Sequence, residues 1–287
     1  MRRPRPTTDP EVELLTRALG ACVDGRSLPR DPALAAAVLH PLVDAHQVVV
    51  VRGLDLDARA FARLAGAFGP LTVHPLDRLL GRSTTVSVIE DDVDRPPAGF
   101  PWHRDLSWLE HPPRYGFLQA LTIPPVGGDT LWAALDAVHA ALPAEERAGL
   151  EQLHLRHRID DSLAATVVRH HGPAVAERLR AAHPPIERPL VGTRPDGTPL
   201  LALSPMYHDG LVAPEGVPAP SPHLLNRLTT ALDDPHVSVR WRWQPGDLAI
   251  WDESCTVHRA LTDHHPSRRR MRRCTVDARI PLTRATA

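Results

Sequence analysis

The stretch Phe100-Pro101-Trp102-His103-Arg104-Asp105-Leu106-Ser107-Trp108 decides how this chain of 287 residues is interpreted. It places a histidine and an aspartate two residues apart, between two tryptophans. If the stretch is a β-strand, His103 and Asp105 project from the same face, because side chains alternate along a strand. Both could then reach one metal ion. The alternative interpretation is a histidine at a strand edge beside a solvated aspartate, with no metal.

A third ligand of the right type lies much later in the chain. The apolar run from Leu248 to Trp251 leads through Asp252-Glu253-Ser254-Cys255-Thr256-Val257 to His258. Two histidines and one carboxylate on one side of an ion leave its other positions free. Non-haem Fe(II) oxygenases use this ligand set, because they need open positions for a co-substrate and for O2.

The composition excludes several other kinds of protein. A net charge of −1 gives no support to a nucleic-acid or membrane-surface role. No apolar run approaches ~18 residues, and the start of the chain lacks the apolar segment of a signal peptide. The cysteines are three in number and scattered, which predicts reduced thiols in the cytoplasm: Cys22, Cys255 and Cys274.

Every basic side chain among the 33 counted as lysine or arginine is an arginine. The absence of lysine excludes a Schiff-base lysine and the lysine of a phosphate-binding P-loop.

Hydrophobic periodicity predicts helices near the start and in the middle of the chain, with strands in two groups on either side. The predicted helices open at Asp9-Pro10 and Asp31-Pro32, span Asp55 to Phe68 and most of 134–182, and open again at Ser221-Pro222. The predicted strands are Val48 to Val51, Thr84 to Ile89, Tyr115 to Ile123, Val237 to Trp243, Leu248 to Trp251 and Arg270 to Ile280.

The proposed ligands come from both groups of strands, so the two groups must meet in space. An antiparallel double-sheet roll brings them together. We therefore expect a mainly β fold with flanking helices, a double-stranded β-helix of the jelly-roll or cupin-like type. One domain is expected over residues 1–287, with a tail at 1–8 and a helical insert and lid at about 155–220.

Several short motifs, taken together, carry a resemblance to a known family. The sequence resembles the taurine dioxygenase and 2,4-dichlorophenoxyacetate dioxygenase family of Fe(II)- and 2-oxoglutarate-dependent oxygenases over roughly residues 45–280. The motifs occur in the family's order and spacing: Phe68-Gly69-Pro70 with His74-Pro75, Trp102 to Asp105, Gly127 to Trp132, Trp241 to Asp247, Trp251-Asp252 with His258, and Arg268-Arg269 with Met271 and Arg273.

The resemblance implies a role for each matching residue. His103, Asp105 and His258 would bind Fe(II), while Thr130 and Arg269 would hold the distal carboxylate of the co-substrate 2-oxoglutarate. Arginine suits that task because its fork is permanently charged and binds carboxylates in a bidentate manner. The implied reaction consumes O2, releases succinate and CO2, and oxidises an unactivated C–H bond. The related halogenases lack the carboxylate ligand, so Asp105 argues against halogenation.

The resemblance also implies an anionic substrate, because His74 and Arg273 match the sulfonate-binding residues of taurine dioxygenase. Alternatively, His74 lines the core and Arg273 forms a structural salt bridge. Ser162 and Tyr207 match pocket positions, and Leu163 replaces a pocket aromatic. Two departures argue against taurine itself: Asp77 replaces a tyrosine, and Gly99 replaces an asparagine.

We therefore expect a small carboxylate or sulfonate, such as an amino acid derivative, to be hydroxylated or desaturated. The residues leave open whether the chain forms a homo-oligomer. Two other functions also remain open: a silent jelly-roll sensor of a metal or small acid, and a zinc-dependent hydrolase with the same ligands. Neither alternative needs Thr130 and Arg269 beside the metal. The pairs His170-His171 and His264-His265 are interpreted as surface histidines.

Overall fold

The structure is a computed structural model, and it describes residues 10–277. Its α-helices are α1 Pro32–His46, α2 Ala58–Gly66, α3 Pro75–Leu79, α4 Leu135–Ala141, α5 Ala144–Leu150, α6 Asp161–His171, α7 Pro173–Ala182 and α8 Leu224–Ala231. Its strands are β1 Val12–Leu14, β2 Ala21–Asp24, β3 Val48–Arg52, β4 Ser87–Asp91, β5 Tyr115–Thr122, β6 Thr130–Ala134, β7 His154–His157, β8 Ile186–Pro189, β9 Val191–Thr193, β10 Pro199–Leu201, β11 His208–Val212, β12 Ser238–Trp241, β13 Leu248–Asp252, β14 Thr256–Ala260 and β15 Arg269–Val276.

Two sheets matter most for the site. A seven-stranded sheet has the order β1-β2-β3-β13-β5-β15-β4, and a three-stranded sheet has the order β12-β6-β14. All neighbours in both sheets are antiparallel except β2 and β3. Strands from the early and late parts of the chain are thus direct neighbours. This is how residues far apart in the sequence come to share one site.

The four-valine run on β3 shows why the larger sheet is apolar on both faces. Val49 and Val51 pack with α1 and α2, whereas Val48 and Val50 pack toward the smaller sheet. Because side chains alternate along a strand, a strand covered on both faces is a continuous apolar run. The helical prediction for α2 is also confirmed, since Phe61 and Leu64 lie on its buried side.

The space between the two sheets is filled largely by tryptophans. Trp132, Trp241, Trp243 and Trp251 belong to one buried cluster with residues of both sheets. Gly116 makes room for Trp251, since a Cβ at this glycine would lie 2.2 Å from the indole ring. Two packed sheets with helices outside confirm the predicted double-stranded β-helix.

The predicted helix after Asp9-Pro10 is wrong. Val12–Leu14 forms strand β1, which pairs with β2 in a hairpin closed by Gly20 at φ 91°. The hairpin extends the large sheet through the parallel pairing of β2 with β3. Tertiary pairing therefore overrides a local helical pattern, which is a weak determinant on its own.

The prediction of a mostly helical segment at 134–182 needs a similar correction. His154–His157 forms strand β7 between α5 and α6, and it pairs with β8 and β11. Leu155 and His157 are its buried residues. The expected tail at 1–8 and the end of the expected strand Arg270 to Ile280 lie outside the described residues.

Two further features bear on the sequence-based expectations. Within residues 10–277, no helix is both long and apolar enough to cross a membrane. Cys22, Cys255 and Cys274 are all free thiols.

His157 is expected to make the folded protein sensitive to acid. Burial, followed by the charge of Arg104, lowers the pKa of His157 to about 3, whereas an unfolded histidine has a pKa of about 6.5. Between these values the unfolded state binds more protons, so stability falls as the pH falls. Going from pH 7 to pH 5 should cost about 2 kcal/mol of unfolding free energy through His157 alone.

Urea unfolding of the wild type and of His157→Gln at both pH values measures this contribution. The variant should lose about 2 kcal/mol less than the wild type on acidification. His170→Gln, which changes an exposed histidine, serves as the control and should lose as much as the wild type. Equal losses in all three proteins would show that His157 is not an acid-sensitive group.

Candidate active site

The three proposed metal ligands converge, although not in the way that a continuous strand would bring them together. His103 forms an isolated antiparallel bridge with His258 on β14. Their backbones exchange two hydrogen bonds, of 3.0 Å from His103 N–H and 2.8 Å from His258 N–H. Asp105 lies in the turn that follows, and Leu106 adopts a left-handed φ of 54°. The strand prediction is therefore wrong for this stretch, and the turn directs Asp105 toward both histidines.

The distances between ligand atoms suit a single metal ion. Asp105 Oδ1 lies 3.8 Å from His103 Nε2 and 3.9 Å from His258 Nε2. Because metal bonds to such ligands are about 2.0–2.2 Å long, two ligands of one ion can be at most about 4.3 Å apart. Both carboxylate-to-histidine distances lie within this limit, and each of the three residues offers a ligand atom within 4.8 Å of the other two. The donor set and its spacing therefore fit a divalent cation.

The electrostatics of the cluster keep its side chains in the metal-binding forms. Burial lowers the pKa of His103 and lowers that of His258 further, so both imidazoles are neutral. Burial alone would raise the pKa of Asp105, but the charge of Arg273 and its hydrogen bond hold that pKa below its usual range. Arg273 Nη2 donates a hydrogen bond to Asp105 Oδ2. The cluster thus presents two lone pairs and one negative charge.

A fourth ionisable group, Glu253, lies directly behind the ligands and was missed by the sequence analysis. Its side chain accepts hydrogen bonds from Asp105 N–H at 2.9 Å and from Trp251 Nε1 at 2.7 Å. Burial, and then the charge of Asp105, raises the pKa of Glu253 well above its usual range. One sequence signal could have identified Glu253: it is an acidic residue immediately after the buried strand that precedes His258.

The ligands open into a cavity of about 270 Å³. Its wall is mainly apolar, with a few polar groups that converge on the interior, as ligand-binding cavities usually are. The predicted residues among its lining are His74, His103, Asp105, Thr130, Tyr207, His258, Arg269 and Arg273. The sequence motifs thus meet around one space.

One end of the cavity contains the cation Arg269 and the hydroxyl of Thr130. Arg269 is buried, and its Nε donates a hydrogen bond to Gly128 O at 2.9 Å. Its Nη2 has no hydrogen-bond partner among residues 10–277. Gly128 must lack a side chain here, since a Cβ would lie 2.9 Å from Arg269 Cδ. Thr130 Oγ1 accepts from Trp243 Nε1 at 3.0 Å, which leaves its hydroxyl proton free to be donated.

His264 lines the same end of the cavity, so its interpretation as a surface histidine is wrong. It is 4 % exposed, and Nε2 lies 3.4 Å from Asp91 Oδ2. Neither ring nitrogen makes a well-formed hydrogen bond in the described part of the chain. Asp91 is the register partner of Arg269 across β4 and β15. No sequence pattern distinguishes His264 from its neighbour His265, because the loop path alone buries one of them.

The other polar end contains His74, Tyr207 and Arg273. Burial, followed by the charge of Arg273, lowers the pKa of His74 to about 4, so His74 is neutral. Its Nδ1 accepts a hydrogen bond from Leu76 N–H at 3.2 Å, which leaves the proton on Nε2. Tyr207 lies edge-on to His103, with ring centroids 6.0 Å apart. These groups offer hydrogen-bond donors next to the metal ligands.

Three predicted substrate residues are not among the lining residues. Asp77 lies on α3 and forms an ion pair with Arg82 at 3.6 Å. Gly99 is exposed in the loop before Phe100, and Ser162 is exposed on α6. Leu163 reaches the cavity from α6, because the helix turns adjacent residues to different faces.

The site therefore defines a class: a protein with a two-histidine, one-carboxylate metal centre of the non-haem Fe(II) type inside a jelly roll. Comparison with known proteins agrees. The sequence model of the taurine catabolism dioxygenase TauD, TfdA family matches residues 11–275. The chain belongs to this family.

Characterised relatives cover most of the chain. An alkylsulfatase from Acinetobacter baylyi is 28% identical over 284 residues, covering 96% of this chain and 87% of the relative. An alpha-ketoglutarate-dependent sulfate ester dioxygenase from Pseudomonas putida is 27% identical, covering 95% and 91%. An alpha-ketoglutarate-dependent 2,4-dichlorophenoxyacetate dioxygenase from Cupriavidus pinatubonensis is 31% identical, covering 82% and 85%.

The fold agrees with solved structures as well. A taurine dioxygenase from Burkholderia xenovorans superposes with a TM-score of 0.72 at 26% identity, covering 96% of this chain and 93% of the other. The chain is thus a dioxygenase that uses Fe(II), 2-oxoglutarate and O2.

Proposed function

We propose that this dioxygenase oxidises an unactivated C–H bond of a small anion with an apolar carbon skeleton, and that it releases succinate and CO2. One observation carries the proposal. The metal-ligand cluster, Arg269 and Arg273 all line one largely apolar cavity, and Arg269 Nη2 has no hydrogen-bond partner among the described residues. A dicarboxylate and a second anion can therefore lie on either side of one metal position.

The ligands His103, Asp105 and His258 would hold the iron. When bound, Fe(II) together with O2 and 2-oxoglutarate supplies the oxidising power for C–H cleavage. The chain itself positions the reactants and keeps water out of the cavity. Phe100 and Leu106 line the cavity beside the ligands, where they exclude water and leave room for a carbon chain.

The 2-oxoglutarate end would be formed by Arg269, Thr130 and His264. A distal carboxylate there would receive the unpaired Nη2 of Arg269 and the free hydroxyl proton of Thr130. His264 adds a third side chain, with ring nitrogens that have room for a further hydrogen bond. The nearby Asp91 repels a bound carboxylate, and this repulsion favours a ligand that places its charge on the Arg269 side.

The substrate end would be formed by Arg273, His74 and Tyr207. Arg273 supplies the positive charge, because the neutral His74 can offer only a hydrogen bond. Leu163 and Tyr207 belong to the 155–220 segment, so the expected lid over the site remains part of this proposal. Asp77 is not included, since it pairs with Arg82 and is not among the residues that line the cavity.

Among anions, a sulfate ester is the substrate class we favour. Two relatives that match at least 95% of this chain are named for alkyl sulfates or sulfate esters. Hydroxylation of the carbon that carries the ester oxygen gives a product that collapses to an aldehyde and hydrogen sulfate. An aryloxy carboxylate or a sulfonate has the same charge and can bind the same arginine, so these compounds belong in the same test.

The test is a screen of purified enzyme with Fe(II), 2-oxoglutarate and O2 against a medium-chain alkyl sulfate, an aryloxyacetate and taurine. Succinate formation above the substrate-free rate, with matching sulfate and aldehyde release, would support the sulfate ester class. Stimulation only by the aryloxyacetate or by taurine would reassign the class. No stimulation by any anion would overturn the proposal of an anionic substrate.

Arg273→Ala is expected to weaken binding of the stimulating anion by about 10- to 150-fold. The estimate follows because a hydrogen bond to a charged group contributes about 1.5–3 kcal/mol. Substrate KM reports the effect, and the exposed Arg178 on α7 provides the control Arg178→Ala. Fe(II) affinity is measured in parallel, because Arg273 also contacts Asp105. An unchanged substrate KM would exclude Arg273 from the substrate site.

A further inference from the structure

Glu253 is placed so that it touches the metal site from behind. It follows β13 and is 1 % exposed. Its Oε2 accepts the backbone N–H of Asp105 at 2.9 Å, and its Oε1 accepts Trp251 Nε1 at 2.7 Å. A buried acid with two fixed donors cannot reorient without losing a hydrogen bond. Its position is therefore set by the chain and not by solvent.

The two histidine ligands differ on the side that faces away from the metal. His103 has its Nδ1 2.8 Å from Pro101 O, so that nitrogen has an acceptor within reach. His258 Nδ1 has no hydrogen-bond partner among the residues described. Glu253 Oε1 lies 3.8 Å from it. Only a small approach separates this pair from a hydrogen bond.

Metal binding makes such an approach favourable. A histidine that binds a metal through Nε2 carries its proton on Nδ1, and a buried N–H without an acceptor is costly. A carboxyl oxygen has two lone pairs, and Oε1 uses one of them for Trp251. An acceptor at the rear nitrogen fixes the tautomer of a ligand histidine and makes it a stronger donor to the metal.

The surroundings support an acidic residue at this position. Arg104 is buried, and its Nε donates a hydrogen bond to the backbone oxygen of Glu253 at 2.6 Å. This places a cation next to the acid and keeps the turn between β13 and β14 in place. His258 lies on β14, the strand that directly follows this turn.

We propose that Glu253 is a positioning residue of the metal centre: Oε1 accepts the Nδ1–H of His258 once Nε2 binds the metal, while Oε2 holds the backbone of Asp105. The inference rests on the proposed ligand set of His103, Asp105 and His258. One side chain thereby orients two of the three ligands.

Glu253→Gln tests the inference, because the amide keeps the size of the side chain but replaces one acceptor oxygen with a donor. In one orientation of the amide, its NH2 group faces the backbone N–H of Asp105. In the other orientation, it faces Trp251 Nε1–H and His258 Nδ1–H. Either orientation sets a donor against a donor. The apoprotein is titrated with Mn(II), and free Mn(II) is followed by electron paramagnetic resonance. We expect about 10- to 100-fold weaker Mn(II) binding.

Glu145→Gln is the matched control, because it makes the same substitution at an exposed position on α5 and should bind Mn(II) like the wild type. The urea midpoint of each apoprotein separates a metal effect from a loss of fold. If Glu253→Gln does not fold, Glu253→Asp retains the acid but withdraws it from His258 by one methylene. It should still bind Mn(II) several-fold more weakly than the wild type.

A second measurement reports how strongly His258 donates to the metal, independently of the stability of the folded protein. With Fe(II) and 2-oxoglutarate bound under anaerobic conditions, a weaker histidine donor should move the visible charge-transfer band of the variant to shorter wavelength. Wild-type Mn(II) affinity in a folded Glu253 variant would overturn the inference. Failure of the wild type itself to bind Mn(II) would instead overturn the proposed ligand set.

Discussion

Asp105→Ala is expected to abolish metal-dependent turnover. Asp105 supplies the only negative charge among the three ligand side chains, and its Oδ1 faces both histidine Nε2 atoms at 3.8 and 3.9 Å. Outer partners of ligands alone contribute about 10- to 100-fold to metal affinity, so loss of a ligand should exceed about 100-fold. Fe(II) affinity under anaerobic conditions and succinate release at saturating 2-oxoglutarate measure the loss.

Two companion variants make this result specific. Asp105→Asn keeps one oxygen and the shape of the side chain, and it should recover part of the metal affinity but little turnover. Asp196→Ala removes an exposed carboxylate and should leave both quantities unchanged. If Asp105→Ala binds Fe(II) as tightly as the wild type, another group must complete the metal site.

Arg269→Ala is expected to weaken 2-oxoglutarate binding by about 30- to 4,000-fold. Arg269 is 4 % exposed and has an unpaired Nη2 at the cavity. Truncating one partner of a buried charge pair costs about 2–5 kcal/mol, which corresponds to this range. The affinity is read from the charge-transfer band that forms when 2-oxoglutarate is added to the Fe(II) protein without O2.

The neighbouring arginine offers a close control. Arg268 has a side chain that is 58% exposed and paired with Glu90, so Arg268→Ala should bind 2-oxoglutarate like the wild type. Arg269→Lys keeps the charge but loses the planar fork, and it should fall between the two. Equal affinities for Arg268→Ala and Arg269→Ala would remove Arg269 from the co-substrate site.

The local sequence pattern predicted the secondary structure correctly wherever burial on one or two faces of an element determined its sequence. The valines of β3 and the apolar side of α2 are examples, because period and burial agree there. The N-terminal segment failed for the opposite reason. Val12 lies in a strand because β2 pairs with β3 about 30 residues away, and no local signal reports that pairing.

The candidate site also has one part that the sequence predicted and another part that it did not. The family resemblance identified five site residues from the sequence alone: His103, Asp105, His258, Thr130 and Arg269. In the structure all five line one cavity. The substrate side was less predictable. Asp77 turns toward Arg82, and Leu163 replaces Ser162 at the cavity, because a helix rotates each successive residue by about 100°.

By itself, the sequence determined the chemical kinds of group that the protein uses: two histidines, a carboxylate and an arginine in the order and spacing of one family. Only the tertiary structure decided what lies behind each ligand. Pro101 O stands behind His103, whereas Glu253 stands behind His258 and also holds Asp105. Asp105 and Glu253 are 148 residues apart, and hydrogen bonds across such a separation follow from how the strands pack, which no local pattern encodes.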